Sequence, residues 1–172
     1  LDKFTKRGPS INGKDWIDQY KVCFSRRLNT SGERTLQPAI IAPRVSHING
    51  VISTIFEEKD YVIELCGLSS SIVIDFFIKT TGRGDLYDFV IKSIPLGIKQ
   101  KYKTALFSRT LLLNCVNKYY GKLWEENWKE HYSINQWSKN DKRLKPHNLL
   151  KKEWDWSIPL RNWFERRTAL VE

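Results

Sequence analysis

Apolar and polar positions follow two different rhythms along this chain. Tyr20-Lys-Val-Cys-Phe24 alternates and is rich in β-formers, which predicts a strand. Ala39–Ala42 predicts a second, ended by Pro43, and Val51–Phe56 a third. Between the last two lies Asn49-Gly50, the residue pair of a type I′ hairpin turn. Asp60 is expected to cap a helix from Tyr61 to about Leu68. Ser69-Ser70-Ser71 then restarts a second helix, from Ile72 to about Thr80; its load of Ile, Val and Phe leaves a buried strand as the alternative. Gly82-Arg83-Gly84-Asp85 reads as a tight loop whose glycines take positive φ, and Ile91–Pro95 as a short extended exit.

Beyond Ile94-Pro95-Leu96-Gly97 the period lengthens. From Thr104 to Tyr132, Leu106, Phe107, Thr110, Leu111, Leu113, Val116, Tyr120, Leu123, Trp124 and Trp128 form a 3.6-residue stripe interrupted only at Gly121. Ser133–Leu149 is polar and basic and reads as a long connection. Pro159 is expected near the first turn of a last helix running toward Glu172. The expected fold is therefore α+β: a small mixed β-sheet with helices over residues 1–97, then a basic, Trp-rich, mainly helical segment over 98–172.

Composition narrows the class. A chain of 172 residues is one ordinary domain or two small ones. The longest apolar runs, such as Ile72–Ile74 and Leu111–Leu113, fall far short of the roughly 18 residues of a membrane span, so no membrane partner is expected. Cys23, Cys66 and Cys115 are odd in number, dispersed and set among apolar residues, which suits small buried hydrophobes in a reducing cytoplasm. His47, His131 and His147 are equally scattered, and no metal-ligand spacing occurs. The chain begins at Leu1, has no Met, and ends in the helix-forming Thr168-Ala-Leu-Val-Glu172, so it is expected to be a piece of a longer protein.

Charge sharpens the division. Residues 1–97 hold 13 Lys/Arg against 11 Asp/Glu, and residues 98–172 hold 16 against 8. Six of the seven tryptophans, Trp124, Trp128, Trp137, Trp154, Trp156 and Trp163, lie in the second part. Trp124 and Trp128 fall four residues apart on one helical face, so these tryptophans are expected to be mainly core residues. Phosphate loops, nucleophile elbows and zinc-protease motifs are missing. Glu57-Glu58-Lys59-Asp60 has the residue types of a metal-dependent nuclease, but adjacent residues do not share one face; an acidic helix start explains them. What remains is cationic: Arg26-Arg27 after the first strand, Arg34, Arg44, His47 and Asn49 around the second, then Lys79 and Arg83. Any one of these is ordinarily a solvated surface charge. Together they offer guanidinium forks for guanine edges, an amide for adenine, and lysines for phosphates.

Several stretches also carry a resemblance. Tyr20–Arg26, Glu33-Arg34-Thr35 running into Ala39–Pro43, the helix ending Leu68-Ser69-Ser70, and the exit Ile91–Leu96 resemble the target-recognition domain of adenine-N6 DNA methyltransferases. The nearest types are the Taq-like C-terminal specificity domain and fused restriction–modification enzymes, including PglX-like phage-exclusion methylases. Leu68-Ser69-Ser70 stands where that family usually has Leu-Asn-Ser. Arg109–Cys115, Tyr119-Tyr120, Leu123-Trp124, Pro159–Arg161 and Arg166–Glu172 resemble the helical segment that follows it. The resemblance implies a module that binds double-stranded DNA and selects sequence in phage defence, partnered by an upstream methyltransferase domain of the same parent chain. That catalytic domain would bind S-adenosylmethionine and grip a flipped adenine with a Pro-Pro-Tyr/Phe motif. This chain has no Pro-Pro, so no catalytic residue and no cofactor is expected within it. The alternative is a generic nucleic-acid-binding or protein-interaction domain of another bacterial defence protein.

Overall fold

A computed structural model describes residues 8–172. The fold is α+β, in two compact units, one ending at Leu96 and the other running from Gly97 to Glu172.

The first unit opens with a two-stranded hairpin, β1 (Ser10–Ile11) against β2 (Lys14–Asp15). Its turn is Asn12-Gly13, with φ of 53° and 71°, the left-handed pair that type I′ requires. The other Asn-Gly pair does something else. β3 (Lys21–Ser25) lies between β4 (Pro38–Ile41) and β5 (Val51–Thr54), so β4 and β5 are not neighbours and Asn49-Gly50 joins no hairpin. Neither residue has positive φ, and Val51 N–H closes the turn on the Ile48 carbonyl at 3.0 Å. Both pairings of β3 are antiparallel, which corrects the expected mixed sheet: Val22 faces Ile40 and Thr54, and Phe24 faces Pro38 and Ile52.

The central strand is buried on both sides, and the period of two sorts its residues. Val22 and Phe24 are almost inaccessible and share a face with Ile40. Helix α1 (Lys59–Ser70) packs on β3 and β4 with Val62, Ile63, Leu65 and Cys66 buried. Lys21 and Cys23 take the opposite face. There Lys21 is fully buried, its ammonium 4.5 Å from the centre of the Trp16 ring and donating to the Trp16 and Gln19 carbonyls. Burial lowers the Lys21 pKa to about 8 and raises that of the Cys23 thiol.

α1 begins at Lys59, so Asp60 lies in its first turn rather than capping it. Ser71 ends α1 and caps α2 (Ile72–Thr80), its Oγ accepting the Ile74 N–H at 3.2 Å. That cap decides for helix over the strand alternative. α2 has its apolar face outward: Ile72, Val73, Phe76 and Phe77 are exposed, while Asp75 is buried. The reason is Asp75 Oδ1, which accepts the Thr35 and Leu36 N–H groups at 2.9 and 2.6 Å and fixes the helix rotation. Gly82, at φ +65°, closes the helix end through a bond to the Lys79 carbonyl; Gly84 has no positive φ, contrary to expectation. The expected extended exit at Ile91–Pro95 instead begins inside α3 (Asp88–Lys92) and turns at Ser93-Ile94; α3 buries Val90 and Ile91 and carries a 3.0 Å Asp88–Lys92 pair.

The second unit breaks the expected stripe at Cys115–Asn117, not at Gly121. α4 spans Gln100–Asn114, and Asn117 Oδ1 then accepts the Tyr119 N–H to start a 3₁₀ turn. Gly121 begins α5 (Gly121–Asn127), and α6 (His131–Ile134) follows. The last carbonyls of α4 would otherwise lack partners. Leu160 N–H, the Arg166 guanidinium and Trp154 Nε1 bond Leu112 O, Leu113 O and Cys115 O at 2.8–3.1 Å, and the cation suits the negative helix end. α7 runs Trp163–Val171, starting after Pro159 because Asn162 Oδ1 accepts the Glu165 N–H at 2.8 Å. Trp124, Leu111, Leu112, Leu123 and Ile158 are fully buried. All three cysteines are buried and none is in a disulfide. Among the described residues no single helix is long and apolar enough to cross a membrane.

Candidate nucleic-acid interface

The sheet has two ends, and the cationic residues divide between them. β3 runs out at Ser25, where its neighbours are the start of β5 and the loop before α3. Arg26 N–H bonds Gly50 O at 2.9 Å, and the Arg26 carbonyl accepts Leu86 N–H at 2.7 Å. Leu28 N–H bonds Gly84 O at 2.9 Å. These backbone bonds bring Arg26, Arg27, Asn49 and Arg83 to one end of the sheet. The Arg26 guanidinium donates to Asn49 Oδ1. Arg27 is exposed and sits 3.6 Å from Asp85, and Arg83 lies over the Phe89 ring at 4.9 Å.

Arg44 leaves the opposite end, following β4. Its N–H bonds Ile17 O at 2.7 Å, its φ is +66°, and its guanidinium meets Asp18 at 2.8 Å while staying largely exposed. A left-handed backbone at a non-glycine residue is held only where the surroundings dictate it; here the Ile17 bond and the Asp18 pair do so. Between the ends, His47 is half-buried on the Lys21 face. Its Nε2 lies 2.8 Å from Ser53 Oγ, and its ring meets Trp16 edge-on at 5.4 Å. It covers the sheet, a role the sequence did not signal.

Arg34 and Lys79 belong to neither end. Arg34 donates to Ser70 O and lies 3.9 Å from Asp75, while Lys79 donates to Gly32 O at 3.0 Å. Both tie the 29–36 loop to the helix pair. Of the eight sequence-predicted residues, the structure therefore brings four together, sets Arg44 and His47 apart, and uses two as internal struts.

The second unit carries a cationic surface that residue-type reasoning overlooked. Trp156 and Trp163 are 62% and 70% exposed, against the expectation that the tryptophans there are mainly core. Arg161 lies over Trp156 at 5.1 Å and Arg167 over Trp163 at 5.3 Å; Arg143 lies over the half-buried Phe164 at 3.7 Å but is also paired with Asp141 at 2.6 Å. Exposed aromatic faces with guanidinium groups on them are the parts of a stacking platform for bases. The readable signal was the four-residue spacing of Trp163 and Arg167 on one helix. Compared with known proteins, the chain matches no family model, no curated protein and no solved structure.

Proposed function

We propose that this chain is the DNA-binding target-recognition module of a larger S-adenosylmethionine-dependent adenine-N6 DNA methyltransferase or restriction–modification protein. The methyl-transfer machinery then lies elsewhere in the parent chain. The observation that carries the reading is the convergence of Arg26, Arg27, Asn49 and Arg83 on loops at one end of a rigid sheet. Guanidinium and amide groups on such loops are the donors and acceptors that read major-groove edges. Arg44 leaves the other end of a five-residue strand, roughly 15 Å away at the strand rise. That distance is on the order of four to five base pairs of duplex, so Arg44 serves a different position of the site from Arg26 and Arg27.

The test is duplex binding by the 172-residue chain across a salt series. Non-specific affinity of about 10⁻⁴ to 10⁻⁶ M near physiological salt is expected, falling steeply as salt rises. Affinity that stays level across the series overturns the electrostatic account. With S-adenosylmethionine supplied, no methyl transfer is expected; labelled methyl groups appearing in DNA would remove the assignment of chemistry to another domain.

A second reading has its own observation. The outward row Ile72, Val73, Phe76 and Phe77 on α2 is the composition of a protein contact. Phe76→Ser with Phe77→Ser separates the two. DNA binding that survives these changes favours the first reading, and loss of a protein partner with DNA binding absent throughout favours the second.

A further inference from the structure

The second unit contains a cavity of about 580 Å³ between α6, the following loop and the short turn His147–Leu149. That volume lies within the range of small-molecule sites, roughly 300–1,000 Å³. Its walls are held from outside. Arg109 donates to Gln136 O and to Glu172, and Glu172 also accepts the Ser138 N–H and hydroxyl. Across the cavity, Trp137 Nε1 donates to Lys145 O at 2.8 Å, and Glu165 takes the Lys145 N–H. A shape tied down this way is present before any ligand arrives.

Its lining holds an unusual group. His147 is 4% exposed, lines the cavity and stands 4.6 Å from the Trp137 ring; the Asn135 backbone lies beside its ring, but neither ring nitrogen closes a well-formed hydrogen bond. Buried polar atoms are seldom left so. Burial holds its pKa below the ordinary histidine value, so near neutral pH the ring is uncharged and offers one donor and one acceptor. Gln136, Asn140 and Asn148 line the same cavity and are exposed. Lys139 and Asp141 also line it.

From the poorly satisfied His147, the Trp137 ring and these amides, we infer that the cavity binds a purine nucleotide, with the base inside and the phosphate toward Lys139. The match is chemical. A purine edge alternates donors and acceptors, which side-chain amides meet two at a time. A neutral imidazole completes such an edge, an indole packs against a flat heterocycle, and an ammonium suits the phosphate. The inference stands apart from the target-recognition reading, because a free nucleotide would occupy the cavity whether or not the Arg26 end meets DNA. The purine has two possible sources, a free mononucleotide or an unpaired base in a strand.

Calorimetric titration of the full 172-residue chain distinguishes them. One arm uses adenosine monophosphate with uridine monophosphate as comparator. The other uses an oligothymidine with and without one central adenine. Saturable binding of the adenine ligand, at least about fivefold tighter than its comparator and weakened at least about fivefold by Gln136→Ala or Asn148→Ala, is the expected result. If only the mononucleotide arm behaves so, the source is a free nucleotide; if only the strand arm does, it is an unpaired base. Equal binding of purine and pyrimidine, indifference to both amide variants, or no binding in either arm overturns the inference. His147→Phe removes the polar edge but risks the fold. The amide variants are exposed and keep the test decisive without it. Failure of the salt series with success here, or the reverse, separates this inference from the proposed function.

Discussion

The two units use their arginines differently. In the first, four guanidinium groups stand against an oxygen, Arg26 on Asn49, Arg27 beside Asp85, Arg34 on Ser70 O and near Asp75 and Arg44 on Asp18, and Arg83 alone lies over a ring, that of Phe89. In the second, Arg161 lies on Trp156 and Arg167 on Trp163, while Arg143 on Phe164 and Arg109 on Trp137 are also bonded to Asp141 and Glu172. A carboxylate cancels the charge and fixes the fork. A ring does neither, because its quadrupole attracts the cation without neutralising it. The first arrangement suits directional contacts, the second a sequence-tolerant cationic surface.

The largest effects should come from the groups that hold each unit. Asp75 is the keystone of the first, taking two backbone N–H groups and standing near Arg34. Asp75→Ala leaves buried donors and a half-buried cation without it, and should cost about 3–5 kcal/mol. Trp124 holds the second: it is fully buried, packs on Trp128 and Tyr132, and donates to Lys151 O at 3.0 Å. Trp124→Ala should cost about 3–5 kcal/mol. Chemical denaturation gives both numbers. Hydrogen exchange read on peptides of each unit tells whether the loss is confined to the unit that was changed. A cost under about 1 kcal/mol for Asp75→Ala would mean the helix pair is held by apolar contact alone.

The units should also part company with pH. In the second, burial holds His147 below its ordinary value, and the Arg109 charge acts the same way. Below pH 6.5 the unfolded chain takes up a proton that the folded chain refuses, so stability falls with pH until the lowered folded value is reached. Glu172 adds a later stage. Burial alone would raise its pKa, but the Ser138 and Arg109 bonds outweigh that and lower it, so its contribution fades as pH falls below 4.5. In the first unit the buried pair acts at the alkaline end. Lys21, at about 8 against 10.5 unfolded, adds stability as pH rises through that window, while the raised Cys23 thiol takes stability away. Denaturation midpoints from pH 7 to 5 should drop for the parent chain and flatten for His147→Phe. A parent profile that is already level removes this difference between the units.

How far the sequence reveals all this depends on the range of the interaction. Strands β3, β4 and β5, helices α1 and α2 and the Ser71 cap were legible because alternation and caps are local. The strand order was not. Asn49-Gly50 suggests a hairpin, but β3 takes both neighbours, and only the tertiary pairing settles which Asn-Gly pair turns a hairpin. The Ile91–Pro95 exit reads as extended because of Pro95, although Val90, Ile91 and Ile94 already have helical spacing. Arg34 and Lys79 became struts because their partners, Ser70 O and Gly32 O, lie 36 and 47 residues away. No local pattern encodes such distances. The cavity around His147 was out of reach for the same reason: its floor and walls come from a loop with no period at all.

Binding experiments sharpen the contrast between arginines set on oxygens and arginines set on rings. In the full-length parent, Arg44→Ala should change which sites are methylated, because a base-reading arginine is worth about 1–3 kcal/mol at one position. Uniform slowing across all sites would make Arg44 a backbone clamp. Arg167→Ala in the second unit should instead weaken every sequence alike and reduce the log–log salt slope by about one. A shift in site preference from Arg167→Ala would erase the distinction between the two units.

The smallest effect tests the partner argument most directly. Asp85 faces Arg27 at 3.6 Å with the arginine 83% exposed, and the bridge between these residues is made by backbone, not by the carboxylate. Asp85→Asn therefore keeps the fold. Exposed pairs of this kind are worth about 0–1 kcal/mol, so the denaturation midpoint should hardly move. The charge at the sheet end changes by one unit, however, in favour of a polyanion. Duplex affinity at low salt should rise a few-fold and the salt slope should steepen, since Arg27 is then free to displace a counterion. An unchanged slope would mean that Arg27 never meets a phosphate or a base, and the reading end would shrink to Arg26, Asn49 and Arg83. A fall in stability beyond about 2 kcal/mol would show the carboxylate holding the 83–86 loop in place, and the acid would then be a structural residue and not a brake on DNA binding.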